Sequence, residues 1–281
     1  MTSGAITGPE DSSEPAESSA RPRFRHPTGP VPRSIAIVAC GPTSQQWHAG
    51  NFVYERQWGK PDEVWALNKG LRTIRCDLGF VMDDMVGEGR KSPSYADDLR
   101  QVTVPIITSI VDAEVAAMYP GLDLHALPVD PMMWSIGVRT LKARGWTDGA
   151  IVQEVQAARQ ERRWSAVENA AYPHRRYLHN SIPHILAYAL FIGVREIGLF
   201  GADYTFPGQE AREDDRANAE YWVGVLRLAG VNVKVPNNTT LLSMNRPEFM
   251  YGYGARPPMF EMPAPEDIAA ECEVIQTTWR R

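Results

Sequence analysis

Four polar groups stand at the ends of apolar runs in this sequence, and together they offer the chemistry of a phosphate and nucleoside site. Gly41-Pro42-Thr43 follows the run Ser34–Cys40, Asn68 follows Glu63–Leu67, Asp83 and Asp84 follow Leu78–Met82, and Asp203 follows Ile197–Phe200. A glycine turn with hydroxyls before a helix start aims unpaired backbone N–H groups and a positive dipole end at an anion, usually phosphate. The same residues also serve as a plain turn with a helix cap. Asparagine at the end of a strand can donate to and accept from a ribose or base, or close an Asx turn. Adjacent carboxylates can hold a divalent cation against diphosphate oxygens, supply one general base, or sit solvated in a turn. His174 and His179 flank a basic, tyrosine-containing loop, where either is a general-base candidate near neutral pH.

The elements that must place these groups follow from apolar periodicity. His179-Asn180-Ser181 precedes Ile182, Ile185, Leu186, Ala189 and Leu190, whose three- and four-residue spacing marks one face of a helix. Asn180 or Ser181 is the expected N-cap, and Gly193 falls where a left-handed C-cap belongs. The short run Ile197–Phe200 then reads as a buried strand with Asp203 just past its carboxyl end, the edge where open α/β sheets bind ligands. Ser34–Cys40, Glu63–Leu67, Leu78–Met82, Val104–Ser109, Leu122–Leu127 and Val231–Val235 read as further strands. Residues 217 to 229 read as a helix capped by Gly230, after a charged loop from Glu210 to Arg216. The fold class is therefore α/β: a Rossmann-like, open, mostly parallel sheet with helices on both faces.

Residues 130 to 178 interrupt that rhythm. Ile151–Trp164 has an amphipathic pattern, and around it lie Trp134, Trp146, Trp164, Tyr172 and Tyr177 with Arg162, Arg163, Arg175 and Arg176. Such an insertion suits a lid over an anionic or sugar substrate, or a helical cover whose aromatics are core. Residues 1–33 are rich in Ser, Glu, Pro, Gly and Ala, and their composition reads as a disordered tail with a sparse basic cluster at Arg21, Arg23, Arg25, His26 and Arg33. Residues 34–245 form the expected nucleotide-binding domain, and 246–281 an extension with a short helix near Glu266–Trp279.

The 281 residues, 43% hydrophobic, can fill a large core, and a net charge of -5 argues against a general attraction to nucleic acid or anionic membrane. Three cysteines, Cys40, Cys76 and Cys272, lack paired metal-ligand spacing and are too few for a disulfide framework, so a reducing, cytoplasmic setting is expected. No apolar run approaches the roughly 18 to 20 residues that span a bilayer.

In order along the chain, these segments resemble a Rossmann-like group comprising the bacterial lipooligosaccharide sialyltransferases, motility-associated glycosyltransferases and hydroxymethylpterin diphosphokinases. The resemblance is carried by Gly41-Pro42-Thr43, Leu67-Asn68, Asn180-Ser181, Ile192-Gly193-Val194-Arg195-Glu196-Ile197, Gly201-Ala202-Asp203-Tyr204 and Pro236-Asn237-Asn238-Thr239-Thr240-Leu241-Leu242. It implies that Gly41, Pro42, Thr43, Asn68, Asn180, Ser181, Asn237, Asn238 and Thr239 bind a nucleotide and that Asp203 supports the site. The sialyltransferases place a catalytic histidine after the strand that ends in Gly-(Ile/Val)-Asp, near the start of the next helix; residues 210–220 here contain none. The base then falls to Asp214, Asp203, Asp83 or His179. The implied activity is a glycosyltransferase with a nucleotide-sugar donor, a glycan, protein or nucleic acid acceptor, and no required cofactor. A magnesium-dependent diphosphokinase using Asp83 and Asp84, and a nucleotide-binding module without chemistry, are the alternatives.

Overall fold

The computed structural model describes residues 24–49, 59–204, 213–236 and 239–242. Seven parallel strands form one sheet in the order β5-β4-β3-β2-β1-β6-β7. They are β1 (Ser34–Val38), β2 (Glu63–Leu67), β3 (Leu78–Val81), β4 (Ile106–Thr108), β5 (Leu124–Ala126), β6 (Glu196–Phe200) and β7 (Asn232–Lys234). Each expected strand is present: β2 has the expected bounds, β6 begins one residue earlier at Glu196, and the other five are trimmed where the ladder stops. Side chains alternate between the two faces: Ile35 and Ile37 of β1 join one core, and Ala36 and Val38 join the other.

Short helices cover the second face and its edges: α1 (Ser44–Ala49), α2 (Met85–Lys91), α3 (Pro93–Arg100) and α4 (Ala113–Met118). A 3-10 turn, Asn68–Arg72, follows β2 directly. The insertion is a three-helix unit, α5 (Val129–Ala143), α6 (Asp148–Gln160) and α7 (Ala166–Arg175), where the pattern of apolar residues gave one helix over Ile151–Trp164. Prolines at 131 and 173 lie inside α5 and α7 and mask their periodicity in the sequence. Pro131 falls in the first turn of α5, where the missing N–H is tolerated.

The organising helix is α8 (Ser181–Ile192), followed by β6 and α9 (Glu213–Leu228). Ile182 through Leu190 are buried with the exception of His184, which is half-buried. A helix apolar nearly all round must be enclosed, and α8 lies in one core cluster with α5, α9 and the first sheet face. Asn180 caps it by accepting from the Ile182 N–H at 3.1 Å, and Gly193 ends it at φ 98°.

Residues 24–33, placed in the tail by composition, are part of the domain. His26 is 3% exposed; its Nδ1 lies 2.7 Å from the Tyr188 hydroxyl and its Nε2 3.2 Å from Glu63 Oε2. Phe24 packs edge-on against Tyr188. Two aromatic side chains in a polar stretch are enough to seat it, which a composition average does not register. Residues 1–23 and 243–281 lie outside the described residues. No described helix is long and apolar enough to cross a membrane.

Candidate functional site

The chain builds outward from β1 to β5 on one side, then returns through α8 to place β6 on the other side of β1. That reversal opens a crevice at the carboxyl ends of β1 and β6, the position where open α/β sheets hold ligands. A cavity of about 200 Å3 occupies it, with walls from the ends of β1, β2 and β6, the start of α8 and the first turn of α9.

The turns after β1 and β6 interlock. The Gly41 N–H donates to the Gly201 carbonyl at 2.8 Å. A Cβ on Gly41 would stand 2.5 Å from that oxygen and 2.8 Å from Asp203 Oδ2, so only glycine fits. Gly201 has φ +67°, and a side chain there would meet the Ala39 carbonyl.

Asp203 is 7% exposed and fastens three turns at once. Its Oδ2 accepts from the Thr43 N–H and hydroxyl, both at 2.7 Å, and its Oδ1 accepts from the Thr239 hydroxyl at 2.8 Å. The Thr43 hydroxyl in turn accepts from the Gly201 N–H at 2.8 Å. Among the sequence candidates, Asp203, Thr43 and Thr239 are thus brought together as one bonded knot, while Gly41, Asn68, Asn180, Ser181 and Asp203 line the cavity. Pro42 is exposed and outside that lining.

Asn180 does more than cap α8. Its Nδ2 donates to the backbone carbonyl of Asp215 at 3.1 Å and to Asp215 Oδ1 at 3.2 Å, fixing α9 against α8. Asp215 lines the cavity. The sequence reading passed over it for its neighbour Asp214 and began this helix at 217. The helix starts at Glu213, which sets Asp215 in its first turn, where a carboxylate is favoured by the dipole. An acidic run placed just before a helix was the available signal. The side chain of Asp214 and all of Asn237 and Asn238 lie outside what is described.

On the opposite wall, Asn68 has φ 45°, an uncommon conformation for a residue with a side chain. Its Nδ2 donates to Asp83 Oδ2 at 2.8 Å, and its Oδ1 is buried without a hydrogen-bond partner among the described residues. Asp83 is exposed at the rim, yet desolvation by the surrounding chain raises its pKa, Glu88 adds to the rise and Lys69 opposes it. Asp84 is the N-cap of α2, accepting from the Gly87 N–H at 3.0 Å. Among the described residues no group of three His, Cys, Asp or Glu side chains is placed to hold a metal ion.

The structure separates the two histidines from the cavity. His179 is exposed and outside the lining, and His174 faces Tyr221, with Nδ1 2.9 Å from its hydroxyl. A histidine not singled out by the sequence reading, His184, is likewise outside the lining but is bonded to a wall residue: its Nδ1 donates to the Asn180 carbonyl at 2.9 Å. Desolvation lowers its pKa, that hydrogen bond opposes the change, and His179 adds to it.

No family model matches the sequence, and no curated protein matches it. The fold is similar to solved structures of the sialyltransferase CstII. With CstII from Campylobacter jejuni in complex with the substrate analogue CMP-3FNeuAc the identity is 13% and the TM-score 0.39, covering 72% of this chain and 78% of that chain. With CstII bound to cytidine-5'-monophosphate the values are 14% and 0.39, covering 74% and 82%. With the sialyltransferase in complex with a trisaccharide acceptor and CMP they are 13% and 0.39, covering 85% and 99%.

Proposed function

We propose that this protein is a glycosyltransferase that binds a nucleotide-activated sugar in the crevice between β1 and β6 and transfers the sugar to an acceptor hydroxyl. The observation that carries the reading is the placement of Asp215: a carboxylate in the cavity wall, oriented by Asn180, beside the N-terminus of α8. In the resembled sialyltransferases the base stands in the corresponding helix start, as a histidine; here a carboxylate occupies that stretch.

In this reading the Asp215 carboxylate accepts the proton of the acceptor hydroxyl as its oxygen attacks the anomeric carbon. The bond from that carbon to the phosphate oxygen breaks, and the electron pair leaves with the nucleotide. Negative charge developing on the departing phosphate is favoured by the positive end of α8, while the Gly41 turn, whose N–H groups are donated within the fold, shapes the wall beside it. Asn68, in the cavity wall, contacts the nucleoside or the sugar. Asp203 is a positioning residue, since both its oxygens are engaged by the turns it joins.

The test is thermal shift against nucleoside mono- and diphosphates and nucleotide sugars, followed by transfer assays with the donors that bind. Asp215→Asn should keep donor binding and lower kcat by about 10²- to 10⁴-fold, the usual contribution of a general base. Unchanged turnover in that variant removes Asp215 from the mechanism. A melting temperature indifferent to the whole panel removes the nucleotide site.

A further inference from the structure

A second cavity, of about 390 Å3, lies in the helical insertion between the first turn of α5 and one face of α7. We infer that it is the site where the acceptor is held, and that what it holds is a sugar ring of a glycan. The assignment of this ring as the acceptor rests on the transferase reading; the binding of a sugar does not.

Its floor is apolar, formed by Met133, Val167 and Ala171. Its walls are aromatic. Trp164 and Tyr172 meet at a centroid distance of 5.4 Å and an interplanar angle of 67°, forming a corner of two ring faces, and Trp134 closes the third side. Trp164 is 56% and Tyr172 48% exposed, far more than core aromatics of this chain such as Trp65 or Trp222 at 0%. Half of the aromatic group therefore remains unburied in a recess already shaped to receive something flat and partly apolar.

The rim narrows the choice of occupant. Asp130 and Arg175 face each other across the mouth at 3.9 Å, at the outer limit of an ion pair. Glu168 stands beside them, its rotamer fixed because Oε2 accepts from the Ser165 N–H at 2.7 Å and from its hydroxyl at 2.8 Å. Carboxylates accept from neighbouring hydroxyls, a guanidinium donates to ring and glycosidic oxygens, and an aromatic face takes the C–H side of a pyranose. A ring with an apolar face and a girdle of hydroxyls satisfies the floor, the corner and the rim together. An aliphatic chain would offer no hydroxyl groups to the charged rim, and a polyanion would face two carboxylates.

The cavity also sits where an acceptor is needed. Arg175 ends α7, and five residues later the chain reaches Asn180 in the wall of the edge cavity. Met133 and Ala171 of the floor belong to the same packed cluster as Ile182, which lines that edge cavity. The short linker between them is pinned, with Tyr177 stacked on Tyr221 at 3.8 Å and its carbonyl accepting from Trp222 Nε1 at 3.1 Å. The two cavities are therefore held in a fixed relation.

The test is a titration of the full-length protein with lactose and with methyl β-glucoside, followed by the indole N–H signals in two-dimensional NMR, with glycerol as the polyol control. The Trp164 and Trp134 signals, assigned through Trp→Phe variants, should move saturably with sugar and not with glycerol. Trp164→Ala and Tyr172→Ala should each weaken binding by about 10-fold or more, the usual effect of removing an aromatic anchor. Both side chains are about half exposed, so melting temperature and nucleotide-induced stabilisation should stay unchanged, which separates loss of the cleft from loss of the fold. Nucleotide binding without any sugar response overturns the cleft, whereas sugar binding without any nucleotide response leaves the cleft standing and sinks the transferase reading. Indole signals that move on dilution but not with sugar place a second copy of the chain there and also overturn the proposal.

Discussion

The two walls of the edge cavity are built in opposite ways. On the side of β1, β6 and β7, the polar groups at the centre of the turns are met from within: Asp203 by Thr43 and Thr239, Thr43 by Gly201, and Asn180 by Ile182 and Asp215. On the side of β2 and β3, Asn68 is held at φ 45°, its Oδ1 is buried without a partner among the described residues, and Asp83 carries a raised pKa. The first wall is a scaffold whose shape is set before any ligand arrives. The second stores conformational strain, on the order of 1 to 2 kcal/mol for one left-handed residue, and keeps an acceptor unused.

Substitutions should therefore separate stability from binding along this divide. The largest expected effect is at Asp203. Asp203→Ala strips hydrogen bonds from the buried N–H and hydroxyl of Thr43 and from Thr239, and hydrogen bonds to a charged acceptor are worth about 1.5 to 3 kcal/mol each before non-additivity. A loss of about 3 to 5 kcal/mol in urea unfolding is expected. Asp203→Asn should lose less, because its carbonyl oxygen can still face Thr43 while the Thr239 hydroxyl turns to accept. Equal losses from the two variants would mean that the charge itself, not the bonding pattern, holds the knot. Next comes Gly41→Ala, whose methyl group meets a backbone oxygen that cannot swing aside. Strain of about 1 to 3 kcal/mol is expected there, with nucleotide stabilisation abolished.

The scaffold wall was also the more legible of the two. Glycine, short hydroxyl side chains and a carboxylate at strand ends are local signals, and strands that alternate with helices imply a mostly parallel sheet. The Asn180 cap and the Gly193 terminus were readable for the same reason: capping depends on a few adjacent residues. What escaped were relations between distant segments. Asp215 lines the cavity because α9 starts four residues before the apolar pattern begins, and no local feature distinguishes it from Asp214. His26 is buried because Tyr188 and Glu63, 162 and 37 positions away, converge on it. The positive φ of Asn68 and its unpartnered oxygen are likewise products of tertiary packing.

The ligand-facing wall should respond in the reverse sense to the scaffold. Asn68→Gly removes the strain of the left-handed conformation and the buried unpartnered oxygen, so the unliganded protein should become no less stable and gain up to about 1 kcal/mol. The same change should weaken nucleotide binding by about 10-fold or more, because it removes a side chain from the cavity wall. Loss of stability together with retained binding would reverse the comparison and make Asn68 part of the scaffold.

The smallest effect concerns a histidine on the scaffold side. Burial holds the pKa of His184 below its ordinary 6.5, while its Nδ1 donates to the carbonyl of Asn180. Above pH of about 6.5 the imidazole is neutral in both the folded and the unfolded chain and contributes no pH dependence. As pH falls through that value the unfolded chain binds a proton that folded His184 resists, so stability declines until the lowered folded pKa is passed. His174, lowered by desolvation and by Arg144, adds a decline of the same sign. His184→Gln keeps an N–H donor for Asn180 without the titration and should flatten the fall in the urea midpoint between about pH 7 and pH 5, leaving the share that belongs to His174. An unchanged slope would place the acid sensitivity outside His184 and leave the wall around Asn180 indifferent to pH over this range.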